Sequence, residues 1–344
     1  MLYIHEYPDW TDFRYDAVSV LAKLGRVRFL EGRLLGSVQS LNRAKAETDL
    51  LARDICANFT IDDRRLKYEK IRGEVALALE SKSSDNMVRN LLGATQNANA
   101  PLTEDRLFAW HASLGSNKVR SYRKSDAKVS FEYAGETAHS YRGVPEYRLA
   151  AEVSKFIDWY NADGGTDILL KAAVAHFRFL AIRPFDDANG RIARALSEML
   201  LVKNEGSPRR VYSLCESLLD KRAEYFQILA KTQAMNGDIT EWILWFLGAF
   251  ESALEKGEAE VAHDLRAASF RARHSDASLT DRQQKLLAAL LGGSFTDKLT
   301  TSRLASLAGT SPDTALRDIQ DLIDKGILKK ESRGGRSTSY RLAD

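Results

Sequence analysis

Cysteine is nearly absent: Cys56 and Cys215 are the only two. They are far apart and match no metal or redox spacing, so both read as small buried hydrophobes in a reducing compartment. No run approaches the ~18 uncharged apolar residues of a membrane span, which excludes a membrane partner on this pattern. The opening "MLYIHEYPDWTDFRYD" carries acids and has no apolar run, so it is not a secretory leader. The expected setting is the cytoplasm. An excess of charge of either sign is also lacking. A net charge of +3 does not by itself imply a nucleic-acid partner, so any such reading depends on where the charge sits. Proline is rare, with six in 344 residues, and long helices therefore run uninterrupted. What remains is 44% hydrophobic and 28% charged, an ordinary composition for two or three packed domains. No internal repeat or low-complexity tract is visible.

Apolar positions recur at helical spacing over most of the chain, so the expected class is mainly α. Val18, Leu21, Leu24, Val27, Leu30 and Leu34 begin a pattern that predicts one or two long helices over 16–54. Further helices are predicted over 64–80, 86–96, 101–114, 146–162, 167–182, 189–204, 213–234 and 239–256. Thr103 is placed to cap the helix of 101–114. "KVSFEYAGETAHSY", within 117–145, alternates instead and is rich in aromatic and β-branched residues, a hairpin signal. Residues 257–277 are charged and alanine-rich, with few large apolar groups, and read as a connecting helix. The expected organisation is an N-terminal helical domain over 1–97, a core over 98–256, the linker over 257–277 and a separate domain over 278–344.

The stretch "AIRPFDDANGRIAR" (181–194) concentrates the chemistry. Pro184 ends the preceding helix, and Phe185 is suited to anchor the turn in the core. Asn189-Gly190 opens the next helix, where free backbone N–H groups and the helix dipole favour an anion. Arg191 and Arg194 lie on nearly one face of it, and their forked guanidiniums suit phosphate oxygens. Asp186 or Asp187 could hold a divalent cation bridging phosphates. A capped helix with Asp–Arg surface pairs accounts for the same residue types.

The stretch resembles the signature of the Fic family, His-Pro-Phe-x-(Asp/Glu)-Gly-Asn-Gly-Arg-x-x-Arg. "KAAVAHFRFLAI" (171–182) is similar to that family's preceding helix, and "RAEYFQILAKTQAMNGDITEWILWFLGAF" (222–250) to the segment after its core. The hairpin, placed at 119–134, resembles its substrate-gripping flap, and "YIHEYPDWTDFRYD" resembles the start of one Fic subgroup. The resemblance implies AMP transfer from ATP to a protein hydroxyl, with ATP or another nucleotide and Mg²⁺ as cofactors and a target protein at the flap. It implies that Asp187 is the metal ligand, that Asn189 and Gly190 line the anion hole, and that Arg191 and Arg194 contact phosphates.

Three departures stand against the implied activity. Where the family has its catalytic His this chain has Arg183, and arginine has no acceptor nitrogen to serve as a general base. It suits a further phosphate contact instead. His176 sits about two turns upstream and reads as structural rather than as a substitute base. The Gly before Asn-Gly is Ala188, whose side chain opposes a positive φ. The family's inhibitory segment, (Ser/Thr)-x-x-x-Glu-(Gly/Asn), corresponds to "NFTIDD" (58–63), with Asn58, Asp62 and Asp63 at the three motif positions. Asp62 is one methylene shorter than Glu, which shortens its reach to Arg194.

The C-terminal segment predicts a helix over 279–292, two helices around a turn at 308–310, and two short strands around a Gly-Gly tip. This order resembles a winged helix-turn-helix domain, with Ser311 and Pro312 opening the second helix of the pair. Lys325, Lys329, Lys330, Arg333, Arg336 and Arg341 face one acid, Glu331, over that stretch. Such a patch suits DNA phosphates, with Ser311, Thr314 and Arg317 exposed on the helix that reads bases. Asp313, Asp318 and Asp321 make this helix less basic than many. A winged helix used for protein contacts or for a homodimer is the alternative. The favoured expectation is a Fic-like protein that keeps a nucleotide pocket, has impaired or no transferase activity, and regulates transcription through DNA. The alternative is a working or residual protein adenylyltransferase.

Overall fold

The computed structural model describes residues 2–38, 43–82, 84–115, 120–133, 136–292, 299–331 and 338–343, and for 130–140 the backbone only. The chain forms two compact units, Met1–Glu258 and Ala259–Asp344. Among the described residues no helix is long and apolar enough to cross a membrane.

The first unit is helical, as the periodicity predicts. Helices α1 (Ala17–Ser37) and α2 (Ala44–Thr60) replace the single pattern of 16–54, and α3 (Tyr68–Leu79), α4 (Asn86–Gln96) and α5 (Glu104–Leu114) follow. Asp16, Asp85 and Thr103 cap α1, α4 and α5 by accepting hydrogen bonds from Val18, Met87 and Arg106 backbone N–H groups. The hairpin lies later than 119–134: residues 120–127 form no strand, and β1 is Lys128–Tyr133 with β2 Glu136–Arg142. The reason is local, since the alternating β-branched and aromatic run begins only at Lys128. The strands pair antiparallel, Lys128 opposite Arg142 and Phe131 opposite His139.

Helices α6 (Leu149–Asn161), α7 (Ile168–Ile182) and α8 (Asn189–Glu205) make the centre. Every residue of α7 from Leu169 to Ile182 is buried, which explains why its sequence is apolar all round rather than along one stripe. Tyr160 Oη donates to Leu196 O at 2.8 Å and Trp242 Nε1 to Ala173 O at 2.8 Å, so large polar-tipped rings brace this pair from outside. The pattern of 213–234 divides at Lys221 into α9 (Leu214–Asp220) and α10 (Arg222–Gln233). Helix α11 runs from Thr240 to Arg273, beyond the predicted end at 256, because no Pro interrupts it and Ala, Glu and Arg favour helix.

The second unit begins inside the segment expected to be a linker. Ala267 and Phe270 of α11 are buried in its core with Leu286, Leu304, Ile319 and Leu322. Its elements are α12 (Asp281–Leu291), β3 (Leu299–Thr300), α13 (Thr301–Ala308), α14 (Pro312–Asp324), β4 (Leu328–Lys330) and β5 (Ser339–Leu342). The sheet has the order β3-β5-β4, antiparallel throughout.

Candidate functional site

The loop between α7 and α8 is held in an uncommon shape. Arg183 ends α7 at φ 51° and donates its N–H to Phe179 O at 2.8 Å, an αL cap immediately before Pro184. Phe185 is fully buried and stacks on His111 at 4.3 Å. The Asn189 side chain closes the turn from within: Oδ1 accepts from Phe185 N at 3.0 Å and Nδ2 donates to Phe185 O at 2.7 Å. Ala188 takes φ 63°, so the methyl expected to oppose a positive φ is accommodated, at a cost of about 1–2 kcal/mol. No side chain caps α8, so the amides of its first turn keep their anion-binding potential.

The hairpin is fastened to this loop through Arg123, which is buried. Its Nε donates to Arg183 O at 2.8 Å and another guanidinium nitrogen donates to Val144 O. Gly143 is needed there: a Cβ would lie 3.1 Å from both the Arg123 guanidinium and Arg183 Cβ.

Arg191 and Arg194 are almost completely buried and meet the segment after α2. Asp62 Oδ2 accepts from Arg191 Nε at 3.0 Å, and Oδ1 accepts from Arg194 Nη2 at 3.1 Å. The shorter carboxylate therefore does reach Arg194, because Asn58 draws that guanidinium in. Asn58 Oδ1 accepts from Arg194 Nε at 2.5 Å, and the Asn58 carbonyl accepts from Nη2 at 2.8 Å. Asp63 takes φ 57° where the family motif has Gly or Asn, a conformation Asp tolerates better than most residues. Its carboxylate is paired with Arg222 at 2.5 Å.

Asp187 sits between two cations. Its Oδ1 accepts from Arg191 Nη2 at 2.6 Å and its Oδ2 from Arg64 Nη2 at 2.7 Å. A Mg²⁺ ion does not fit this carboxylate while both guanidiniums hold it. Among the described residues no cluster of three or more potential ligands gathers there.

These residues line a cavity of about 310 Å³ whose walls include Arg64, Arg183, Arg194, Arg222, Tyr141 and Gly190. Arg194 Nη1 is buried without a hydrogen-bond partner, and Arg183 reaches only Tyr141 Oη, at 3.3 Å, with no carboxylate partner among the described residues. Both are guanidiniums able to donate to an anion's oxygens. Arg191 does not line the cavity; its nitrogens go to Asp62, Asp187 and the Leu114 carbonyl, so its place is to hold the acids.

Behind the cavity wall, His176 is fully buried. Its Nε2 lies 2.7 Å from Tyr225 Oη and its Nδ1 3.1 Å from Ser197 Oγ. Burial, reinforced by Arg194, pushes its pKa well below the ordinary value, so it is neutral. Nothing in the sequence singled out Arg64, Arg123, Arg222 or Tyr141; each acts across a long separation, and arginines are common along the chain.

These observations are matched by comparison with known proteins. Residues 101–201 match the Fic/DOC family, and residues 3–80 match a domain of unknown function, DUF4172. Over residues 101–201 the chain matches a Fic domain. It is 27% identical over 115 residues to the protein adenylyltransferase fic-1 of Caenorhabditis briggsae, covering 33% of this chain and 21% of that one. It is 25% identical over 244 residues to the protein adenylyltransferase Fic of Culex quinquefasciatus, covering 67% of this chain and 47% of that one. The chain thus spans less than half the length of either relative. Among solved structures it resembles a Fic family protein from Desulfovibrio desulfuricans G20, with a TM-score of 0.54, 19% identity, and coverage of 93% of this chain and 96% of that one. Fic-1 from C. elegans gives a TM-score of 0.51 at 19% identity, over 72% of this chain and 74% of that one. At these identities the structural likeness shows the Fic fold alone.

In the second unit, Ser311 caps α14: its Oγ accepts from Thr314 N at 3.3 Å and lies 3.0 Å from Thr314 Oγ1. Both hydroxyls are therefore engaged in the cap. Arg317 and Lys330 are exposed and Lys329 is half-buried. Asp318 is held by Arg282 at 2.5 Å, and Asp321 by Gln283 and Lys325, so two of the four acids on α14 are already neutralised. Arg333 and Arg336 lie outside the described residues.

Proposed function

We propose that the Fic domain of this chain binds a nucleotide through its phosphates and transfers AMP weakly or not at all. The second unit, read as a winged helix, binds DNA, making the protein a cytoplasmic transcription regulator. The observation carrying the first half is Arg183, a permanent cation on the cavity wall where a transferase of this family has its base. A missing base costs on the order of a hundred- to ten-thousandfold in rate, but it costs nothing in phosphate binding. Arg183, the spare nitrogen of Arg194 and the uncapped start of α8 all favour the polyphosphate of ATP or a similar nucleotide. Magnesium has no place on Asp187 until Arg64 leaves, so binding of the nucleotide alone is the expected mode.

The alternative, an active or residually active protein adenylyltransferase acting on a target protein at the hairpin, draws on the names of the relatives and on Asp187, Asn189, Gly190, Arg191 and Arg194. Incubation with labelled ATP and Mg²⁺, beside an Arg183→His, Ala188→Gly variant, separates the two. Label on protein only in the variant supports the first reading; strong labelling by the unmodified chain establishes the second. For DNA, a gel shift on the protein's own upstream region should be salt-sensitive and weakened by joint Lys329→Ala, Lys330→Ala, Arg333→Ala and Arg336→Ala substitution. No shift, or one indifferent to these changes, removes the regulator.

A further inference from the structure

Helix α1 carries an outward stripe that the fold of one chain does not explain. Val18, Ala22, Gly25, Phe29, Gly32 and Gly36 follow helical spacing along one line for about 27 Å, and all six are exposed. Val18 is 80% exposed and Phe29 64%, with Leu21 beside them at 61%. No charged residue lies on the line. The three glycines are the second anomaly. Each sits inside the helix, where glycine is unfavourable, and a Cβ at any of them would meet nothing within 4 Å. Among the described residues nothing in the same chain requires them to be small.

We propose that this stripe is a two-fold interface with a second copy of the chain, the two α1 helices packed antiparallel about the level of Val27. That register sets Val18 against Gly36 of the second copy, Ala22 against Gly32, and Gly25 against Phe29, so each larger side chain meets a gap. A self-complementary patch of this kind is what an isologous contact requires, and glycines allow the backbones to approach closely. The flank agrees in charge. Arg26 and Arg33 edge the stripe and pair with Glu251, Glu255 and Glu258 of α11. Reversing a copy about Val27 brings Arg26 of one to the level of Glu255 of the other, so alternating charges meet opposite signs.

The test uses the full chain, whose mass is 38.5 kDa. Light scattering or sedimentation over a micromolar concentration series should show a dimer. Gly25→Leu with Gly32→Leu, or Phe29→Glu alone, should weaken self-association at least about tenfold. The melting temperature of the glycine variant should hold or rise, since leucine favours helix, which separates a lost contact from lost folding. An Ala22→Cys, Gly32→Cys variant should oxidise to a covalent dimer, because these positions are too far apart to join within one helix. A monomer at every concentration would overturn the proposal and assign the stripe to a different partner. A dimer untouched by the substitutions and not trapped by the paired cysteines overturns it equally.

Discussion

Replacing Asp62 with alanine tests the electrostatics of the Fic site most directly. Asp62 accepts hydrogen bonds from Arg191 at 3.0 Å and from Arg194 at 3.1 Å, and both guanidiniums are essentially inaccessible to water. Removing one member of a buried ion pair costs about 3–5 kcal/mol. Two features reduce that here: the Asp62 side chain is 23% exposed, and both arginines keep other acceptors, Asn58 for one and Asp187 with Leu114 for the other. The expected loss is about 2–3 kcal/mol, which lowers the melting temperature of a unit this size by about 4–12 °C. The same change makes the cavity wall more positive by one charge, so ATP should bind at least about tenfold tighter and restore much of the lost stability. Thermal unfolding with and without ATP, with calorimetric titration, measures both effects. Asp62→Asn, which keeps an acceptor and removes the charge, should fall between. If Asp62→Ala melts within about a degree of the parent and binds ATP no more tightly, the pairing described here does not hold the site.

Four further outcomes follow from neighbouring residues. Arg64→Ala removes one of the two guanidiniums that hold Asp187, so ATP affinity should become Mg²⁺-dependent where that of the parent is not; titrations with Mg²⁺ and with chelator decide it. Ala188→Gly trades relief of the left-handed conformation against a lost buried methyl and a more flexible unfolded chain, and should be neutral within about 1 kcal/mol. Ala188→Val puts a β-branched residue at the same φ and should cost at least about 2 kcal/mol by urea denaturation. His176 stays neutral in the folded chain but binds a proton when unfolded, once the pH falls below about 6.5. Its contribution is therefore lost as pH falls from that value toward its depressed folded pKa, by up to about 1.4 kcal/mol per pH unit, and His176→Gln should flatten this part of the pH–stability curve.

The helices of the first unit were legible because their apolar residues recur every three or four positions, and the start of α5 because Thr103 caps it. The turn at Pro184 and the roles of Phe185 and Asn189 as turn formers were also legible, since proline and Asn-Gly constrain the backbone locally. The partners of Asp187, Asp63 and Arg183 were not. Arg64, Arg222 and Tyr141 reach them from other elements, and only packing brings these together. Two readings shifted for definable reasons. Ala188 accepts the left-handed conformation because the Asn189 brace and the buried Phe185 fix the turn around it. Residues 259–273, polar and alanine-rich, supply a core through Ala267 and Phe270 alone, too few apolar positions to mark a buried face in sequence.

The side-chain brace at Asn189 also bears on how the protein ages. An Asn-Gly pair in a flexible loop loses its amide readily, because the following glycine nitrogen can turn and attack the side-chain carbonyl. Here both ends of the Asn189 amide are committed to the Phe185 backbone, and Gly190 is already set in the first turn of α8. The attack geometry is out of reach while the turn stays closed. Deamidation would replace the Nδ2 donor by an anionic oxygen beside the Phe185 carbonyl, and the same chain would then strain the turn it had closed. Slow chemical damage at this position is thus a clock that runs only during local opening, and its rate in stored protein reports how often the loop comes apart.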